Sequence, residues 1–150
     1  MPASFSLFSA ACCTHCSMAR KRIVASILLV AATLTGCSAT APFGVPALSA
    51  DQQASDELPR TLAESGSLDP ATSRLLASAD GIQYFAAEPA SGDGLCFVLY
   101  ESPDSWGSGC ATGLPIGVKL EGHPEAQLSI YADETDEWMP IGENVVIRKE

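Results

Sequence analysis

From Ile23 to Leu34 the chain reads "IVASILLVAATL", a run of 12 apolar and small residues that follows the basic cluster Arg20-Lys21-Arg22. A basic start, an apolar centre and small residues after it form the three-part layout of a secretory signal. The run is too short for a helix that spans a bilayer, which needs about 18 to 20 residues. After it, "SATAPFGVPALSADQQASDELPR" has no sustained period and holds Pro42, Pro46 and Pro59 among Ala, Ser and Gln. Residues 37–60 therefore read as a flexible, disordered tether, with a root-mean-square reach of roughly 25 Å for about 20 such residues.

From about residue 61 the pattern changes to short apolar runs separated by Gly, Pro, Asp and Ser, the signature of a small antiparallel β domain over 61–150. In "RLLASADGIQYFAA" the pair Asp80-Gly81 stands between two such runs. It predicts a hairpin, because a type I′ turn needs positive φ at both central residues. A helix starting at Asp69, with its carboxylate as N-cap and Pro70 at the first helical position, competes with the first strand. The specificity of Asp-Gly decides for the strand. "LCFVLY", Leu95 to Tyr100, is near-continuously apolar and is the candidate central strand. Further strands are expected in "IGVKL" from Ile116, "AQLSIYA" from Ala126 and "NVVIR" from Asn144. The predicted fold class is thus mainly β: a small antiparallel sheet or meander behind a signal helix and a disordered tether.

The signal ends in Leu34-Thr35-Gly36-Cys37. This tetrapeptide resembles, at all four positions, the lipobox of bacterial lipoproteins. The resemblance implies that a diacylglyceryl group is attached to the Cys37 sulfur, and that the peptide bond before it is then cut. Residues 1–36 would then be an N-terminal extension with the lipoprotein signal peptide, and Cys37 the lipidated first residue of the mature chain. The 17 residues ahead of Met18 are unusual for a signal, and Met18 is the better placed start. Cys12, Cys13, His15 and Cys16 lie in that extension; adjacent ligands leave too little backbone to wrap a tetrahedral ion, unlike the C-x2-C spacing of zinc sites. The layout "DG…YFAA…GLCFVLY…W…GC…ENVVIR" is also similar to small exported proteins of unassigned function from high-GC Gram-positive bacteria, which implies no activity.

Charge sharpens this picture. All eighteen acidic residues follow Cys37, against five of the eight basic ones, so the mature part carries a formal charge of −13. Phosphate backbones and anionic headgroups repel such a surface, which excludes nucleic acid as a partner and disfavours direct adsorption to an anionic membrane. The remaining basic residues look scattered along the chain, with no patch. The expected membrane partner is the bilayer, reached through the Cys37 lipid.

Little in the mature part reads as chemistry. Cys96 and Cys110 are its only cysteines after Cys37, and an exported domain meets an oxidising compartment, so they are expected to form a disulfide. Thirteen residues separate them, unlike the C-x-x-C of redox enzymes. His123, the only histidine after Cys37, sits before a proline in a turn, and no nucleophile motif accompanies it. "DETDE", Asp133 to Glu137, has charge without the glycine turn and alternate spacing of a calcium loop. No metal and no cofactor is implied. Trp106, Trp138, Tyr100 and Tyr131 could form a flat platform for a sugar or peptide, although aromatics in a small β domain usually fill the core. Trp106, in the turn-rich "SPDSWGSGC", is the candidate exposed contact residue.

Together these features describe a lipid-anchored protein on the extracytoplasmic face of a cell membrane, carrying a non-enzymatic binding or structural module. The alternative class is a carboxylate-based hydrolase of cell-wall glycans, which needs two carboxylates about 5 to 9 Å apart. A concave pocket holding such a pair, as against an exposed contact patch, would separate the two.

Overall fold

Asp80 and Gly81 take φ values of 51° and 82°, as a type I′ turn requires. They join β1 (Arg74–Ala79) to β2 (Ile82–Ala87) in the expected hairpin. The computed structural model describes residues 42–150. The expected signal, its extension and Cys37 lie outside the described residues. The competing helix signal is also used, on a smaller scale. The Asp69 carboxylate accepts a hydrogen bond from the Ala71 amide at 3.0 Å, capping one 3-10 turn, Pro70–Thr72, immediately before β1.

The fold is mainly β. β3 (Leu95–Ser102) and β4 (Ser105–Ala111) extend the hairpin into a four-stranded antiparallel meander in the order β1-β2-β3-β4. β5 (Ile116–Val118), β6 (Ala126–Leu128), β7 (Trp138–Pro140) and β8 (Val145–Arg148) form a second antiparallel sheet in the order β5-β6-β8-β7. Leu95 to Leu99 are all buried because β3 is an interior strand covered on both faces. A strand so placed reads as a continuous apolar run.

Alternation then sorts side chains into two apolar layers. Ile82, Tyr84, Ala86, Leu95, Phe97 and Leu99 meet residues of the second sheet, among them Ile116, Val118, Leu128, Val145 and Ile147. Phe85, Ala87, Cys96 and Val98 face the other way, onto Leu58, Leu62 and Leu68. β4 holds Gly107 and Gly109 opposite Leu99 and Phe97, on the face that meets the second sheet. A Cβ at Gly109 would stand 3.2 Å from Val118 Cγ2 and 3.3 Å from the Gly117 carbonyl oxygen. The two glycines thus admit β5 to close range, and "SWGSGC" is a strand where its composition reads as a loop. β7 is likewise a strand without a sequence signal. β6 is shorter than the apolar pattern from Ala126 suggests: Asn144, nearly fully buried, donates through Nδ2 to the carbonyls of Ser129 and Ile130 at 3.0 and 2.9 Å. Those carbonyls leave the ladder, and the chain turns away.

The largest correction concerns residues 42–60, which are part of the folded body. Three 3-10 turns, Pro42–Gly44, Pro46–Ser49 and Ala54–Asp56, carry the chain across the domain, followed by the one-turn α1 (Arg60–Ala63). Val45 is fully buried in the first apolar layer, where Phe43, Ala47 and Leu48 also pack, while Leu58 and Leu62 cover the second. Polar side chains fasten this strap to the start of β1. The buried Asp56 carboxylate accepts from the Gln53 amide at 2.8 Å and the Leu75 amide at 3.0 Å. Ser73, with no exposed surface, donates to the Asp56 carbonyl at 2.6 Å and accepts from Gln52 Nε2 at 2.8 Å. The Arg74 guanidinium holds the Ala50 carbonyl with Nη2 at 2.6 Å. Phe43 keeps a left-handed φ of 56°, at a cost of about 1 kcal/mol for a residue with a Cβ. Its packing against the first layer offsets that cost. The strap has no sequence period because its residues are used singly, in turns.

Candidate functional site

Cys96 and Cys110 face each other across β3 and β4 and are bonded, with Cα atoms 4.0 Å apart. Cys96 is fully buried and Cys110 lies exposed on the outermost strand of the meander. The pair ties an edge strand to the central one.

Trp106, the expected contact residue, lies on β4 and not in a loop. It stands opposite Tyr100 and packs, half-buried, against the second apolar layer. Trp138 belongs to the other sheet, where the Arg148 guanidinium carbon lies 5.1 Å from its ring centroid. The four aromatics considered as a platform are therefore divided between two sheets and a loop. Only Tyr131 is largely exposed, at 75%.

Tyr131 and its neighbour Ile130, 46% exposed, wall an open groove of about 500 Å³ whose other sides are Gly44, Pro46, Ala132, Asp133, Glu143 and Asn144. Each wall follows from a local cause. Asn144 pins the backbone at Ser129 and Ile130, and its own carbonyl accepts from the Ser129 amide at 2.9 Å. The strap supplies Gly44, whose φ of 72° suits a glycine. A Cβ there would lie 3.2 Å from Ile130 Cγ2. Strap and loop are thus in close contact, and the two large apolar side chains are presented from a held backbone. Asp133 and Glu143 are both exposed carboxylates at the rim. The sequence flagged Tyr131 only as one aromatic among four and gave no signal for its partners, since the groove is assembled from three distant segments.

A second cavity of about 250 Å³ is lined by Lys119, His123, Glu125, Arg148 and Lys149. Three of the five basic residues after Cys37 thus gather in one place, correcting the expectation that they are scattered. Two of the three are paired locally, Arg148 with Glu125 at 3.3 Å and Lys149 with Glu134 at 3.0 Å, while the His123 imidazole stands 3.4 Å from Glu101. Such solvent-facing pairs contribute about 0 to 1 kcal/mol each. "DETDE" is accordingly drawn into ordinary surface contacts: Thr135 Oγ1 accepts from the Trp138 amide at 3.0 Å and Glu134 pairs with Lys149. Among the described residues no group of three His, Cys, Asp or Glu is placed to hold a metal ion.

One titratable group stands apart. Tyr84, nearly fully buried beside Phe97 with ring centroids 6.2 Å apart, has its phenol pushed above its usual value of 10.0, first by burial and then by the nearby Asp80 carboxylate. It is a core residue of the first layer and faces no cavity described above.

No helix among the described residues is long and apolar enough to cross a membrane. Compared with protein-family models, curated proteins and solved structures, the chain matches none.

Proposed function

We propose that this chain is an exported lipoprotein, anchored through a diacylglyceryl group on Cys37 to the extracytoplasmic face of a cell membrane, and that its β domain is a non-catalytic binding module. The anchoring half rests on Leu34-Thr35-Gly36-Cys37 following a basic cluster and a 12-residue apolar run. A diacylglyceryl group brings two acyl chains, at about 0.8 kcal/mol per buried CH₂, which meets the two-chain requirement for stable anchoring. The binding half is supported by the groove at Ile130 and Tyr131, because two adjacent large apolar side chains left in water are what a contact surface requires.

Hydrolysis of cell-wall glycans is the second reading, favoured by Asp133 and Glu143 lining one concavity. Such an enzyme, however, needs a concave site that excludes water from the reacting bond, and both side chains here are exposed. Binding is therefore the stronger reading.

Metabolic labelling with a clickable fatty acid tests the anchor: the wild type should be marked and Cys37→Ser should not. Equal labelling of both would remove it. Digestion of purified cell-wall glycan by the wild type, abolished in Asp133→Asn and Glu143→Gln, would replace binding with catalysis.

A further inference from the structure

We propose that the groove between Pro46 and Tyr131 is a membrane-contact surface, seating amine-bearing headgroups of a zwitterionic bilayer while Ile130 and Tyr131 enter the interface. The proposal rests on the lipidated Cys37 proposed above.

Chain length comes first. Only five residue steps separate Cys37 from Pro42 and seven separate it from Gly44, which lines the groove. At no more than about 3.6 Å per residue, seven steps reach at most about 25 Å, and five about 18 Å. A body of roughly 110 residues has a radius of gyration near 13 Å and is thus about 34 Å across. With residues 42–60 docked on the body, the lipid is held on the side where the strap begins, and the groove is on that side. A long free tether would have placed no such limit.

The surface chemistry points the same way. Ile130 and Tyr131 are two of the three large hydrophobic residues exposed among the described ones. Tyrosine is enriched at membrane interfaces, where its ring sits among headgroups and its hydroxyl stays wet. Asn144 holds the carbonyls of Ser129 and Ile130, and the Ile130 side chain lies close against Gly44, so little ordering is needed on docking.

Charge selects the headgroup. A mature chain of formal charge −13, with Asp133 and Glu143 at the groove, is repelled by an anionic surface. A headgroup amine offers each carboxylate a cation, and the exposed Tyr131 ring can take the same cation on its face.

The test uses the full-length lipidated protein extracted from the envelope and reconstituted in two vesicle compositions: phosphatidylethanolamine with phosphatidylcholine, and phosphatidylglycerol. Hydrogen exchange read by mass spectrometry should slow about tenfold or more over residues 43–46 and 129–133 in the zwitterionic vesicles relative to phosphatidylglycerol. Ile130→Ser with Tyr131→Ser changes two exposed positions and should abolish that difference. Equal exchange in both compositions, or unchanged protection in the double variant, overturns the proposal. Protection that grows with protein density at fixed lipid composition assigns the face to a second copy of the chain and also overturns it. Intact mass of the same sample separates the two readings. Absence of the diacylglyceryl mass removes the anchor and this proposal with it, whereas lipidated protein without protection refutes the membrane contact alone.

Discussion

Replacing Val45 by alanine asks whether residues 42–60 are a strap or a tether. Val45 has no exposed surface and lies in the layer shared by the two sheets. Truncation removes two methyl groups, worth about 1.6 kcal/mol in transfer free energy at about 0.8 kcal/mol each. The space left, about 50 Å³ if nothing relaxes, adds up to about 1.2 kcal/mol at roughly 24 cal/mol per Å³. The expected loss is therefore about 2 to 3 kcal/mol, against a total stability of about 5 to 10 kcal/mol for a domain of this size. In urea, with a slope near 1 to 1.5 kcal/mol per M, the midpoint should fall by about 1.3 to 3 M. Ser49→Ala, at an exposed position of the same segment, is the control and should shift it little. The slope itself should hold if the strap unfolds with the sheets. A midpoint change below about 0.3 M in Val45→Ala would mean that the segment contributes no packing, and the strap and every argument built on it would go.

Three further outcomes are expected. Cys96→Ala with Cys110→Ala should lower the urea midpoint while circular dichroism still shows the β fold, since opening a ring of about 15 residues costs roughly 3 kcal/mol in the chain-entropy model; two alkylated thiols at these positions in non-reduced wild-type protein would show that the bond is not present. Asp56→Ala should cost about 1 to 3 kcal/mol, because it leaves the Gln53 and Leu75 amides without their acceptor; a midpoint equal to that of the wild type would refute the fastening role. Tyr84 has a folded-state pKa raised above 10.0, so the folded state keeps its proton longer than the unfolded chain. Its linkage favours folding fully below pH 10 and is lost as pH rises through the raised value. Tyr84→Phe should flatten that alkaline decline, and an unaltered pH profile would contradict the burial assigned as its cause.

The local signals that survived into the structure are those whose physics is complete within a few residues. Asp80-Gly81 specifies a turn through backbone sterics alone, and both residues adopt the required φ. Asp69 caps the turn it precedes because the acceptor and the amide are two residues apart. Leu95 to Leu99 announce an interior strand, since burial on both faces leaves no polar position. The two cysteines needed only a strand and its return to meet.

What required the tertiary structure depends on what lies opposite. Gly107 and Gly109 read as turn residues until β5 is placed against them, when the missing side chains become the condition for close approach. The three-residue β7 has meaning only beside β8. β6 ends early because Asn144, sixteen positions after Leu128, takes the next two carbonyls. The strap from Pro42 onward carries isolated apolar residues, Val45 buried in the first layer and Leu58 and Leu62 in the second. Periodicity cannot report such a segment, because period arises from repeated hydrogen bonding and the strap uses single turns. The groove at Tyr131 has the same origin: it exists only where that strap meets the loops around residues 130–133 and 143–144.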